Sequence, residues 1–138
     1  MNILITGGAG FIGTNLIANL KEDHTISSID NYSTGKKENH HEGVEYVEGD
    51  IIDIKNNFNP EFDIVFHLAA IARIQPSFER PEDYINTNFQ GTYNIVKYCI
   101  RKNIPLIYAG SSSHHSGKFK NIRSRKRFLR KDLIVCTS

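Results

Sequence analysis

Short apolar runs recur along the first 110 residues, separated by polar or glycine-rich stretches. Five of these runs predict strands: NILIT, TISSID, VEYVEGD, FDIVFHLAA and IPLIYAGSSS. Three of them contain continuous apolar stretches, ILI, DIVFHLAA and PLIYA, which are typical of parallel strands that are buried on both faces. The pattern therefore predicts a parallel sheet that other elements cover on each side.

Two stretches have the apolar spacing of helices instead. The stretch FIGTNLIANLKED follows the first run, with apolar residues at Phe11, Ile12, Leu16, Ile17 and Leu20. A long helix is predicted over Pro81–Lys102, because proline suits a first helical turn. One stripe of this helix contains Tyr84, Asn88, Thr92, Ile95 and Cys99. Cys99 is interpreted as a core residue.

Strands thus alternate with helices or crossover segments, which is the βαβ arrangement of an α/β fold. We predict a Rossmann-type doubly wound parallel sheet of five strands in the order 3-2-1-4-5, with helices on both faces. The polar segment NYSTGKKENHHEG, between the second and third strands, is predicted to be a surface loop.

The pattern stops after Gly117. Residues 1–117 contain nine Lys and Arg against fourteen Asp and Glu, whereas residues 118–138 contain eight against one. We therefore predict one folded domain over 1–117 and an atypical basic tail over 118–138, whose one apolar run, DLIVC, has no evident partner. The acidic body argues against nucleic-acid binding by the folded part.

Other classes of protein and site are disfavoured by the sequence. Cys99 and Cys136 have neither metal-type nor disulfide-type spacing, which favours a reducing, cytoplasmic setting. The start MNILITGGAG does not resemble a signal peptide, and no apolar run approaches the ~20 residues of a membrane span. The histidine pairs at 40–41 and 114–115 lack partners at ligand spacing, so no metal site is predicted.

A glycine-rich turn carries the strongest chemical signal. ITGGAGFIG places Gly7, Gly10 and Gly13 between a predicted strand and a predicted helix. Gly7 would allow the tight turn, Gly10 would let the backbone approach a pyrophosphate, and Gly13 would let the helix pack closely on the sheet. Asp30 ends the second strand, where a carboxylate would accept bonds from both ribose hydroxyls and favour NAD over NADP.

Six motifs occur in order: TGGAGFIG, IDNYSTG, GDI, FHLAA, YINTNFQGT and YAGSSS. Together they resemble the extended short-chain dehydrogenase/reductase family, specifically the NAD-dependent sugar-nucleotide epimerases and dehydratases, the group of UDP-glucose 4-epimerase. The resemblance covers residues 1–117. It implies NAD as the cofactor and a nucleotide sugar as the substrate of a full-length parent.

The resemblance also implies roles for individual residues. Asp50 and Ile51 would flank the adenine, His67 with the three residues after it would line the path of the dinucleotide, and Asn88 would organise the site. Among the serines of 111–113, Ser112 would bond the sugar hydroxyl that is oxidised. The residues assigned to the cofactor are Gly7, Gly10, Phe11, Ile12, Gly13, Asp30, Asn31, Asp50, Ile51, Leu68, Ala69, Ala70 and Asn88.

Structural roles remain open for three of these residues. A serine turn after a strand is common, so Ser112 can be a turn residue without a catalytic role. His67, at the end of an apolar strand, can be a packed residue, and Asn88 a polar residue on a helix face.

The family's catalytic Tyr-x-x-x-Lys pair is missing, since no tyrosine follows Tyr108. We therefore expect this chain to be the NAD(H)-binding N-terminal part of a sugar-nucleotide epimerase or dehydratase, inactive by itself. The oligomeric state stays open: the resemblance implies that a homodimer can form through helices, and Pro81–Lys102 is one candidate face. The alternative is a non-catalytic NAD-binding module whose basic tail binds nucleic acid or an acidic partner.

The basic tail itself suggests a shifted reading frame. Residues 121–127 can be encoded by AAT ATA CGT TCT CGA AAG AGG. Read from its third base, this DNA encodes Tyr-Thr-Phe-Ser-Lys-Glu, which contains the missing Tyr-x-x-x-Lys spacing. The codons are one allowed choice among many, and an evolved, solvated basic tail is the alternative. Sequencing the gene decides between the two.

Overall fold

The computed structural model describes residues 1–56, 61–110 and 134–137 of the chain. The strands are β1 (Asn2–Thr6), β2 (Thr25–Asp30), β3 (Glu45–Glu48), β4 (Ile64–His67), β5 (Leu106–Gly110) and β6 (Ile134–Thr137). The helices are α1 (Phe11–Leu20), α2 (Gln75–Glu79), α3 (Pro81–Tyr84) and α4 (Thr92–Lys102). Short 3₁₀ segments cover Lys37–Asn39 and Ile51–Asn56, and a π-helix over Ile85–Gly91 joins α3 to α4.

All six strands form one parallel sheet in the order β3-β2-β1-β4-β5-β6. The predicted α/β class and the 3-2-1-4-5 order of the first five strands are confirmed. The prediction that DLIVC has no partner is wrong, because Ile134–Thr137 pairs in parallel with β5, from Ile107 to Gly110. The sequence missed β6 because a four-residue apolar run in a basic context offers little periodicity.

Strand β1 is buried on both faces, as its continuous apolar run predicts. Ile3 and Ile5 pack on one side of the sheet with Ile17 of α1 and Ile26 of β2. Leu4 points to the other side, where it belongs to a core cluster with Ile29, Ile51, Ile54, Phe62, Val65, Ile95, Tyr98, Cys99 and Leu106. Cys99 is therefore a core residue, as predicted.

The long helix predicted over Pro81–Lys102 is correct in extent and wrong in regularity. Its middle is π-helical over Ile85–Gly91. Residues spaced four apart drift around an α-helix of ~3.6 residues per turn, and the wider π turn counters this drift. The side chain of Asn88 reaches Ile71 in the loop after β4, and the side chain of Thr92 reaches His67 in β4.

The outer face of the same segment is apolar and exposed. Ile85, Phe89 and Tyr93 follow one another at intervals of four residues, and each is at least half exposed. Ile100 is also exposed. A homodimer through this segment stays a hypothesis.

Candidate functional site

A cleft of about 330 Å³ opens at the carboxyl ends of β1 and β4. Strand order reverses at this point, since β2 and β3 lie on one side of β1 and β4 to β6 on the other. Ligands of open α/β sheets bind at such switch points. Eleven of the thirteen residues assigned to a cofactor line the cleft: Gly7, Gly10, Phe11, Ile12, Gly13, Asp30, Asn31, Ile51, Leu68, Ala69 and Ala70.

Gly7 makes the turn from β1 into the cleft. Its φ of +73° lies in the left-handed region, which glycine adopts without strain. A Cβ atom here would stand 2.8 Å from the backbone nitrogen of Ala69, so two cleft-lining loops meet at this residue. Gly10 differs, because a Cβ atom there would meet only the Gly7 carbonyl oxygen, at 3.3 Å. The predicted open backbone at Gly10 therefore agrees with its surroundings.

Gly13, in the first turn of α1, packs closely on the glycine turn that directly follows β1. A Cβ atom at Gly13 would overlap the Gly7 carbonyl oxygen and would lie 2.6 Å from Cα of Gly8. Gly8 also packs closely on the sheet, because a Cβ atom there would overlap the Ser28 hydroxyl of β2. Gly7, Gly8 and Gly13 thus fix the turn, and the residues that begin α1, Gly10 to Gly13, line the cleft.

Asp30 lies at the cleft with only 8% of its surface exposed. One carboxylate oxygen, Oδ2, accepts the N–H of Ala9 at 2.9 Å, and Oδ1 accepts the N–H of Tyr32 at 2.9 Å. Each carboxylate oxygen has two acceptor positions, so capacity for ligand hydroxyls remains. Asp30 therefore also has a structural role that the sequence did not indicate, which is to hold the glycine turn and the start of the next loop together.

Two of the assigned residues, Asp50 and Asn88, do not line the cleft but hold residues that do. Asp50 accepts the side-chain amide of Asn31 at 2.9 Å and the N–H of Ile52 at 2.9 Å. Asn88 bonds both backbone groups of Ile71, accepting its N–H at 2.8 Å and donating to its carbonyl at 2.9 Å. The organising role expected of Asn88 agrees with this geometry, whereas a direct cofactor contact does not follow from it.

His67 is buried behind the cleft wall and does not line it, contrary to the resemblance. Its Nδ1 lies 2.7 Å from Thr6 Oγ1, and its Nε2 lies 2.8 Å from Thr92 Oγ1. Thr6 Oγ1 already accepts the N–H groups of Leu68 and Ala69, so its proton goes to Nδ1 and the ring proton sits on Nε2. Burial lowers the pKa of His67 to about 4, so the ring is neutral at physiological pH.

The sequence missed several residues of the cleft. They are Ile29, Ser33, Thr34, Gly49, Ile71, Ala72, Thr87 and Ala109. Ser33 and Thr34 belong to the loop that follows Asp30, and Ala109 belongs to β5 next to the predicted serines. Position at the carboxyl end of a strand was the available signal for these residues. Ser112 lies outside the described residues.

Within residues 1–56 and 61–110, no three His, Cys, Asp or Glu side chains gather as a metal site would require. In the same part of the chain, no helix is long and apolar enough to cross a membrane. The cleft is lined by the first residues of α1, by the buried Asp30 carboxylate and by apolar side chains.

Comparison with known proteins agrees with this geometry. The model of the NAD dependent epimerase/dehydratase family matches residues 3–131. The chain belongs to this family. NAD is the cofactor of this family, in agreement with the cofactor that the sequence motifs indicated. This chain shares the fold of family members over most of its length, as the two solved structures described below show.

Relatives within the NAD-dependent epimerase/dehydratase family differ in the reaction that they catalyse. The chain is 38% identical over 116 residues to a UDP-N-acetyl-alpha-D-glucosaminuronate decarboxylase of Bacillus cytotoxicus, covering 79% of this chain and 36% of the relative. An epimerase of Methanothermobacter thermautotrophicus superposes with a TM-score of 0.78 at 32% identity, over 90% of this chain and 39% of that structure. The Thermus thermophilus UDP-glucose 4-epimerase complex with NAD gives a TM-score of 0.72 at 32% identity, over 80% and 38%.

The chain thus spans between one third and two fifths of the length of these family members. Its similarity to them covers the part that contains the cleft at β1 and β4.

Proposed function

We propose that this chain binds NAD(H) in the cleft at the switch point of its sheet. The observation that carries the proposal is the convergence of the glycine turn, Asp30 and the loop after β4 on one cleft. Each of these three segments belongs to one of the family motifs, and the three segments are far apart in the sequence. An unrelated glycine turn would not bring the other two segments to the same place.

The residues present fit the parts of the dinucleotide. The first-turn N–H groups of α1 and its positive helix end suit the pyrophosphate. The Asp30 carboxylate suits the ribose hydroxyls of the adenosine half, and Ile51, with Asn31 held by Asp50, suits the adenine side. When bound, NAD supplies a hydride acceptor. The chain's own residues orient the cofactor and exclude water from it.

We also propose that the whole protein acts on a nucleotide sugar. Relatives named as UDP-glucose 4-epimerases, dTDP-glucose 4,6-dehydratases and UDP-glucuronic acid decarboxylases support this class of substrate. The reaction in common would begin with oxidation of the sugar by NAD. Titration of the whole protein with UDP-glucose and dTDP-glucose tests the proposal, and absence of binding to any nucleotide sugar contradicts it.

We expect NADH to bind at least about tenfold more tightly than NADPH. Asp30 is buried and negative, so a 2′-phosphate would meet both repulsion and an uncompensated loss of hydration. Isothermal titration of the 138-residue chain with both cofactors measures the preference. Asp30→Asn should reduce the preference for NADH over NADPH. It should also lower thermal stability, because one carboxylate oxygen becomes an NH₂ that faces a backbone N–H donor. Equal affinities in the unaltered chain would contradict the role of Asp30.

Gly10→Ala should weaken NADH binding by about tenfold or more while changing the free energy of unfolding by less than about 1 kcal/mol. The backbone at Gly10, with φ −79° and ψ 172°, suits alanine, and the added methyl group meets only one protein atom. It stands instead at the cleft, where the pyrophosphate would approach. Fluorescence titration with NADH and thermal melting test the two halves of this expectation. Asn19→Ala, on the exposed side of α1, is the control.

A further inference from the structure

Ala9 lies in the glycine turn between Gly8 and Gly10, and both its N–H and its carbonyl oxygen form hydrogen bonds. Its N–H donates to Asp30 Oδ2. Its carbonyl oxygen accepts the N–H of Lys36 at 3.1 Å and the side-chain amide of Asn39 at 2.7 Å. Ala9 is fully buried. Neither Ala9 nor the two donors to its carbonyl are among the residues that line the cleft.

Asn39 is itself fixed on α1. Its carbonyl oxygen accepts the Thr14 hydroxyl at 2.9 Å, and its N–H donates to the Lys36 carbonyl at 3.1 Å. The Nε2 atom of His41 lies 2.9 Å from Thr14 Oγ1 and 3.0 Å from the Thr14 carbonyl oxygen. With the Thr14 proton donated to Asn39, His41 Nε2 is the donor to both oxygens. The Asn39 amide is therefore held in place before any ligand arrives.

We propose that Asn39 is a positioning residue for the diphosphate of the cofactor. This inference rests on the proposed binding of NAD(H). The Asn39 amide, with the Lys36 N–H, holds the Ala9 carbonyl on the side of the glycine turn that faces away from the cleft. A carbonyl oxygen is the negative end of a peptide dipole, so a turn in which this peptide rotated would present negative charge to the phosphates. Asn39 keeps this oxygen turned away from the anion, while the N–H of the same peptide, that of Gly10, donates to the Gly7 carbonyl oxygen at 3.2 Å.

The effect should be specific to the phosphates. The Lys36 N–H and the bonds of Asp30 to Ala9 and Tyr32 do not depend on the Asn39 side chain. They hold the loop after β2 against the glycine turn when that side chain is changed. Asn39 is only partly buried. Loss of its amide should therefore loosen one peptide more than it destabilises the fold.

The test compares ligands with and without a diphosphate. Asn39→Asp keeps the shape of the side chain, removes the donor and sets a carboxylate oxygen against the Ala9 carbonyl. Titrations of the 138-residue chain with NADH, ADP-ribose and adenosine should show Kd values for the first two raised about tenfold or more, with adenosine changed less than about twofold. Asn39→Ser, which is uncharged and too short to reach Ala9, should show a smaller loss with the same selectivity. Asn19→Asp adds an equal charge on the exposed side of α1 and controls for repulsion at a distance.

Each outcome decides the matter. Equal weakening of adenosine and ADP-ribose, or unchanged binding of ADP-ribose by both Asn39 variants, would overturn the role of Asn39 while leaving NAD(H) binding intact. An unaltered chain that bound neither NADH nor ADP-ribose would overturn both proposals. Thermal melting of each variant accompanies the titrations, and if Asn39→Asp does not fold, the selectivity of Asn39→Ser decides.

Discussion

Gly7→Ala should lower the free energy of unfolding by about 3 kcal/mol or more and abolish measurable NADH binding. Two costs combine at this position. The φ of +73° is unfavourable for alanine, and the added Cβ would stand 2.8 Å from the Ala69 nitrogen and 2.9 Å from its Cα atom. Both atoms belong to backbone, so relief requires the glycine turn and the loop after β4 to separate. Urea unfolding and NADH titration measure the two losses.

Gly43→Ala is the matched control for the steric part of that cost. Gly43 has a φ of +81°, close to that of Gly7, but a Cβ atom there would meet nothing within 4 Å. Its replacement should cost only the backbone strain, about 1 kcal/mol, and leave NADH binding unchanged. If both variants lost the same free energy of unfolding, the close approach of the Ala69 backbone to Gly7 would not contribute to the cost, and this part of the prediction would be wrong.

Acid should destabilise the fold through His67. Its pKa of about 4 in the folded chain lies below the unfolded value of 6.5, so between these values the unfolded chain binds more protons. The stabilisation is complete above pH 6.5, and it is lost progressively as the pH falls towards 4. The full loss is roughly 3 kcal/mol, since each pKa unit corresponds to about 1.4 kcal/mol. Urea unfolding at a series of pH values from 7.5 to 4.5 follows the loss.

His67→Gln separates this residue from other acid-sensitive groups. A glutamine amide can accept from Thr6 and donate to Thr92, as the neutral ring does, but it does not titrate. The variant should lose some stability at pH 7.5 and should show a shallower decline below pH 6.5 than the unaltered chain. Identical slopes in the two proteins would mean that His67 is not the group responsible.

Local patterns in the sequence were sufficient for much of the fold. NILIT and TISSID predicted β1 and β2 to the residue, because glycines follow the first run and a polar, turn-rich segment follows the second. The glycine spacing predicted the turn, and Gly10 and Asp30 reached the cleft as expected. These successes concern features that neighbouring residues determine by themselves.

Features that depend on distant contacts were not predictable in this way. The π-helical turn at Ile85–Gly91 accompanies bonds from Asn88 to Ile71, seventeen residues earlier. Residue 8 must be a glycine because a Cβ atom there would overlap the Ser28 side chain of β2. The spacing of glycines within the turn does not reveal this contact. The partners of Asn39 lie thirty residues away, at Ala9, so its segment reads only as a polar loop. Contacts between residues that are distant in the sequence, and not local preference, decided these cases.

The bond pattern between Asn88 and Ile71 is that of a missing strand. In a sheet, a neighbouring chain accepts the N–H and donates to the carbonyl of the same residue. Here one side-chain amide does both for Ile71, four residues after β4 has ended. The chain can therefore leave the sheet and form a wall of the cleft without giving up the backbone pairing that a strand would have provided. The Asn88 side-chain amide thus makes, for the single residue Ile71, the two backbone hydrogen bonds that a neighbouring strand would make.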